Sequence, residues 1–60
     1  MRSLYTVEWG VYEKYSKVQT GDQELMAESK EDAISKSYAP PIKDRKKQWV
    51  HAYLGPSKWL

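Results

Sequence analysis

The chain has no cysteine and no phenylalanine, and it contains a single histidine. Without cysteine there are no disulfides, no thiolate nucleophile and no thiolate ligands for zinc or iron–sulfur clusters. No apolar run approaches the roughly 20 residues that a membrane-spanning helix needs, and no secretory signal pattern opens the chain. We therefore expect a cytoplasmic protein with no membrane segment.

Residues that could carry catalysis are also scarce. His51 has no carboxylate near it in the sequence, and the three glycines form no nucleotide-binding loop. The acidic residues do not follow the spacing of a calcium-binding loop. We expect no enzymatic activity, no cofactor and no bound metal.

Length limits the chain to one small domain covering residues 1–60. With 60 residues, 40% of them hydrophobic, a single core leaves little net stability after the entropy of ordering is subtracted. A partner or a homodimer would relieve that deficit, so a homodimer is one open alternative.

Charge is distributed unevenly along the chain, and the aromatic residues are all tyrosine or tryptophan. The formal net charge is +2, yet residues 21–40 hold two bases and five acids, whereas residues 41–60 hold five bases and one acid. Five tyrosines and three tryptophans replace phenylalanine, and their polar groups favour half-buried positions and interfaces. We place Trp9 in the core.

The first half of the chain predicts two strands. Residues 4–15 alternate apolar and polar side chains as a half-buried strand does, and Gly10 marks a bulge or bend. Thr20-Gly21-Asp22 is the clearest turn signal, so we expect the hairpin tip there. A short strand should follow the turn, with Leu25 and Ala27 facing the core.

A short helix of about ten residues is expected next. Ser29 has the features of an N-cap and Asp32 stands at the capping-box position, with acids near the helix start favoured by its dipole. Pro40 and Pro41 end the helix. Its apolar stripe consists of Ala33, Ile34 and Tyr38.

Gln48 to Leu54 alternates again and predicts the last strand. One face carries Val50, Ala52 and Leu54. The other face carries Trp49, His51 and Tyr53. Gly55-Pro56 ends the strand and leaves a tail that is either frayed or docked by Trp59.

The resulting order of strand, strand, helix, strand predicts a two-layer α+β domain. One helix covers one face of a three-stranded antiparallel sheet. A single short helix cannot cover both faces, so the opposite face should be open to water or to a partner.

That open face supplies the candidate site. The positively charged segment before the last strand contributes Lys43, Arg45, Lys46 and Lys47, and the strand contributes Trp49, His51 and Tyr53. An aromatic platform beside cations suits a bacterial protein with an acidic patch, because Trp, Tyr and Arg are favoured anchors of interfaces. It equally suits single-stranded nucleic acid, whose bases stack on aromatic rings while cations meet phosphates.

Residues 27–34 pass from a strand end through Ser29 into a helix that opens with acids and continues with Ala33 and Ile34. This segment resembles very short phage-encoded host-takeover proteins, a group that includes small coliphage early inhibitors of bacterial RNA polymerase. The resemblance implies the same element order and a compact protein that binds and obstructs a larger host machine. The functional arginines of those inhibitors have no counterparts here, so no site residues are transferred.

Overall fold

The computed structural model describes residues 1–13 and 16–58, with the backbone alone for residue 13 and residues 16–19. It contains β1 (Ser3–Glu13), β2 (Ser16–Ala27), α1 (Lys30–Lys36) and β3 (Gln48–Leu54). The strands form one antiparallel sheet in the order β2-β1-β3. The predicted α+β class and the predicted element order are confirmed.

The core lies between the sheet and α1. Val7 of β1, Ala27 of β2 and Ala33 of α1 are fully buried, as the alternation along β1 predicts. Tyr5 and Trp9 pack against them and supply the aromatic bulk that phenylalanine commonly provides. The remaining partly buried apolar residues around the core are Leu25, Ile34, Ala39, Val50 and Ala52.

The expected hairpin tip at Thr20-Gly21-Asp22 is wrong, because β2 runs straight through these residues. Gly21 pairs with Trp9 across the sheet. A Cβ at Gly21 would lie 2.5 Å from Trp9 Cζ2, so the glycine makes room for the indole ring rather than for a turn. Glu13 pairs with Ser16, and residues 14 and 15, where we expected β1 to end, lie outside the described residues.

Gly10 also serves a tryptophan rather than a bend. The irregularity in the β1–β2 register falls between Val11 and Tyr12, one residue beyond Gly10. A Cβ at Gly10 would lie 2.5 Å from Trp49 Nε1. Both glycines therefore accept an indole ring, on opposite faces of the sheet.

The helix begins as predicted and ends earlier than predicted. Ser29 Oγ accepts the Asp32 N–H at 3.0 Å, and Asp32 Oδ2 accepts the Glu28 N–H at 3.0 Å. That backbone bond, followed by the Lys36 ammonium at 2.9 Å, holds the pKa of Asp32 below its ordinary value. These bonds fix the start of α1.

The C-terminal end of α1 overturns one assignment. Ser37 has extended backbone angles, and both its N–H and its hydroxyl donate to the Ile34 carbonyl. The hydroxyl competes with further helical bonds, and α1 is complete after seven residues. Tyr38 therefore lies beyond the helix and is 85% exposed, so it is not part of the apolar stripe.

The bounds and the two faces of β3 are as predicted. Val50 and Ala52 pack against the core, whereas Leu54, on the same face at the end of the strand, is 65% exposed. Gly55 ends the strand with a φ of 108°, a conformation that glycine adopts without strain.

Candidate functional site

The sheet face opposite α1 carries an aromatic row, formed by Trp49, His51 and Tyr53. The Trp49 and His51 rings are stacked, with centroids 5.3 Å apart and planes 14° apart. His51 and Tyr53 are tilted by 32° at 6.3 Å. The structure therefore brings the predicted aromatic residues together into one continuous surface.

Trp49 lies across the sheet and does not project from it. It pairs with Gly10 of β1, and its indole ring covers the position that a Cβ of Gly10 would occupy. Trp49 is therefore half-buried, and it contributes both to the surface and to the packing of the sheet.

A carboxylate that the sequence analysis missed lies under the aromatic row. Glu8 pairs with His51 in the β1–β3 register, and its Oε1 lies 2.6 Å from His51 Nε2. The Tyr53 hydroxyl donates to Glu8 Oε2 at 3.3 Å. Alternation along β1 places Glu8 on this face, but only the register of two strands distant in sequence places it beside His51.

The face is not fully open, which corrects the expectation that it is uncovered. Residues 55–58, here called the C-terminal strap, turn back over the sheet. The Gly55 N–H donates to the Leu4 carbonyl at 2.8 Å, and the Gly55 carbonyl accepts the Thr6 hydroxyl at 2.8 Å. Thr6 is fully buried, although it faces away from α1.

The far end of the strap is held by polar contacts to β2 and β3. The Ser57 hydroxyl donates to Asp22 Oδ2 at 2.8 Å, and the Ser57 N–H donates to Glu24 Oε2 at 3.2 Å. The Lys58 N–H donates to the Tyr53 hydroxyl at 3.0 Å, and the Lys58 ammonium lies 4.9 Å from the centre of the Tyr53 ring. Trp59, whose docking is one of the two alternatives predicted for the tail, lies outside the described residues.

These contacts divide the face by charge. Glu8, Asp22 and Glu24 bring carboxylates to β1 and β2, whereas β3 carries the aromatic row. The strap covers the end of the face near Thr6 and Glu24. The end near Trp49 and the exposed His51, whose side chain is 54% accessible, stays open within the described part of the chain.

The basic loop, formed by Lys43, Arg45, Lys46 and Lys47, lies directly before β3 and is exposed throughout. Gln48 Oε1 accepts the N–H groups of Lys43 and Asp44, and Asp44 Oδ1 accepts the N–H of Lys46. No ion pair involves these four side chains within residues 1–13 and 16–58. The loop backbone is thus ordered while its cations remain available.

A cleft of about 320 Å³ joins the loop to the strand. It is lined by Ile42, Arg45, Gln48, Trp49 and Val50. Arg45 and Trp49 therefore border one cavity, which links the basic loop to the aromatic row.

The described part of the chain contains neither a cluster of metal ligands nor a membrane-spanning helix. Among the described residues, no group of three or more His, Cys, Asp or Glu side chains is placed to hold a metal ion. No helix in residues 1–13 and 16–58 is long and apolar enough to cross a membrane. The chain matches no family model, no curated protein and no solved structure.

Proposed function

We propose that this chain is a small phage-type protein that binds a bacterial host protein and modulates or inhibits it without catalysis. The binding surface is the basic loop together with the aromatic row. The observation that carries the proposal is the shared cleft, in which Arg45 of the basic loop and Trp49 of the aromatic row border one cavity. The phage origin and the host target are extended from the resemblance of residues 27–34.

The chemistry of this surface favours a protein with an acidic patch. Trp, Tyr and Arg are enriched among residues that contribute most to binding at interfaces. Exposed cations without an internal counter-charge speed the approach of an acidic partner and select its orientation. The proposed anchors are Trp49 and Tyr53, and the four cations of the basic loop orient the partner.

Single-stranded nucleic acid is the weaker alternative. Stacking on the aromatic row would bring phosphates near the carboxylates of Glu8, Asp22 and Glu24, which share this face. A nucleic acid carries a phosphate at every nucleotide and meets these carboxylates wherever it stacks, whereas a protein can confine its acidic residues to the basic loop. The acidic half of the face is the observation that ranks a protein partner above nucleic acid.

The test is affinity capture from bacterial lysate with the immobilised protein, before and after nuclease treatment. We expect one stoichiometric protein that resists nuclease. The Arg45→Glu, Lys46→Glu double variant should lose it. The Arg2→Glu, Lys30→Glu double variant is the matched control, because it makes the same change in net charge at two exposed cations near the start of α1, away from the aromatic row.

Each contrary result has a definite meaning. Loss of all captured material after nuclease would favour the nucleic-acid alternative. Equal capture by the wild type and the double variant would exclude the basic loop from the binding surface. Equal loss in this double variant and in the Arg2→Glu, Lys30→Glu control would show that net charge, and not this surface, controls capture.

A further inference from the structure

The outer edge of β3 carries backbone groups that point away from the sheet. The Lys47 carbonyl accepts the Tyr12 N–H at 2.6 Å, and the Gly55 N–H donates to the Leu4 carbonyl at 2.8 Å. Both contacts join residues that flank β3 to β1, so the backbone groups of the odd-numbered residues between them point toward β1. Because backbone groups alternate along a strand, Val50 and Ala52 direct their N–H and C=O groups outward.

These outward groups are not used by the rest of the described chain. β3 is an edge strand, and within residues 1–13 and 16–58 no loop, helix or side chain forms a hydrogen bond with the backbone of Val50 or Ala52. The Gln48 N–H, which also points outward, donates to the Asp44 carbonyl at 2.9 Å. The edge is thus closed at its start by the turn and open from Val50 onward.

The cleft lies at the start of this open edge. Trp49 belongs to one face of β3 and Val50 to the other, and a cavity lined by both lies along the side of the strand. Ile42 and Val50 give it apolar walls, and Arg45 gives it a positive charge without an ion pair among the described residues. An apolar side chain and a carboxylate fit such a cavity together.

We propose that the edge of β3 binds an extended segment of a partner protein by strand addition. The backbone of the segment pairs with Val50 and Ala52, an apolar side chain enters the cleft, and an acidic residue at that end meets Arg45. Strand addition of this kind takes its affinity from main-chain bonds and its specificity from pockets for side chains. The inference rests on the proposed function and specifies how the partner is held.

Charge favours a separate partner over a second copy of this chain. β3 has the sequence QWVHAYL and contains no acid, so pairing two copies through β3 would leave Arg45 without a counter-charge. The other sheet edge, β2, does carry acids, but Asp22 and Glu24 are bonded to Ser57. Pairing β2 of one copy with β3 of another is also head-to-tail and does not close, which leads to filaments.

The test uses the whole ¹⁵N-labelled protein and two synthetic peptides. The first is an acetylated and amidated Glu-Val-Thr-Val-Thr-Val-Glu, and the second carries Lys at both ends in place of Glu. We expect the first peptide to shift the amide signals of Val50 and Ala52. The lysine peptide should bind about fivefold more weakly, since the charge pair is exposed.

Two modifications isolate the edge. Arg45→Glu should invert the preference between the peptides. Ala52→Pro removes an outward N–H, which an edge strand tolerates, and it should abolish binding. A peptide methylated at its central backbone nitrogens should also fail, and that test leaves the protein unchanged.

Several results would overturn the inference. It fails if millimolar peptide shifts no amide signals of the protein, or if the shifts are confined to β2 or to the aromatic row. It also fails if the methylated peptide binds as tightly as the unmodified one. Concentration-dependent shifts of Val50 and Ala52 without peptide would assign the edge to a second copy. If lysate capture succeeds and Ala52→Pro still captures, this inference fails while the proposed function stands. If peptides bind the edge but no protein is captured from lysate, strand addition at the edge stands and the proposed function fails.

Discussion

Replacing Gly10 with alanine tests whether Trp49 is part of the sheet packing. The new Cβ would lie 2.5 Å from Nε1, 2.6 Å from Cε2 and 2.7 Å from Cζ2 of the Trp49 ring. Atoms in contact are normally about 3.5–4.0 Å apart, so the ring must lift by about 1 Å. The backbone itself is unstrained, because the φ of Gly10 is not positive.

The expected loss of stability follows from this overlap. Forcing a methyl group into a packed site costs about 1–3 kcal/mol. A domain of this size has a total unfolding free energy of about 3–9 kcal/mol. The melting temperature should therefore fall by about 5–20 °C, measured by circular dichroism.

Gly21→Ala is the matched control on the other face. Its Cβ would lie 2.5 Å from Trp9 Cζ2, so it should destabilise by a similar amount. The indole N–H signals distinguish the two variants by NMR. Gly10→Ala should move the Trp49 signal, and Gly21→Ala should move the Trp9 signal.

A double-mutant cycle gives the refuting result. In a Trp49→Ala background the added methyl group meets no ring, so Gly10→Ala should cost little. If Gly10→Ala costs the same with and without the Trp49 ring, the ring does not cover Gly10. An unchanged melting temperature for Gly10→Ala alone would also show that the Trp49 ring does not pack on Gly10.

Three further outcomes are expected. Thr6→Val removes the hydroxyl that donates to the Gly55 carbonyl and should cost about 1 kcal/mol in urea unfolding; no change would mean that the strap is not held there. The pKa of Asp32 is lowered in the folded state, chiefly by its bond to the Glu28 N–H. The ionised carboxylate therefore stabilises the fold fully above the unfolded pKa of about 4, and this stabilisation is lost as the pH falls through the folded pKa. The difference in urea midpoint between wild type and Asp32→Asn should narrow from pH 6 to pH 2. Tyr38→Ala should change stability by less than about 0.5 kcal/mol, because Tyr38 is 85% exposed.

Sequence patterns predicted the elements whose formation depends on residues close together in the chain. Alternation of period two identified β1 and β3, since each strand directs its apolar side chains, such as Val7 and Val50, toward α1 on one face. The Ser29 cap predicted the start of α1, because a cap acts within four residues. The predicted helix end is wrong, because the Ser37 hydroxyl bonds the Ile34 carbonyl and α1 ends at Lys36, before Pro40 is reached.

Long-range pairing explains the errors. Thr20-Gly21-Asp22 is a good turn sequence, but Gly21 lies opposite Trp9, where a glycine inside a strand lets a ring pack closely. Glu8 beside His51 depends on the same kind of information. The spacing of either pair in sequence gives no indication of register, so neither could be predicted.

The arrangement of the candidate site bears on how it must be tested. Alanine at Trp49 or Tyr53 should abolish partner capture if these rings are anchors. However, Trp49 covers Gly10, and the Tyr53 hydroxyl accepts the strap through the Lys58 N–H. Either substitution therefore changes the fold as well as the surface, and lost capture alone is ambiguous.

Charge reversal in the basic loop avoids this ambiguity, because its cations are exposed and form no ion pair among the described residues. The comparison of Gly10→Ala with Gly21→Ala adds a second control, since both overpack a tryptophan but on opposite faces. If partner capture depends on the aromatic row, Gly10→Ala should weaken it more than Gly21→Ala at equal loss of stability. Equal weakening would mean that capture reports stability, and the aromatic row would then be packing rather than an interface.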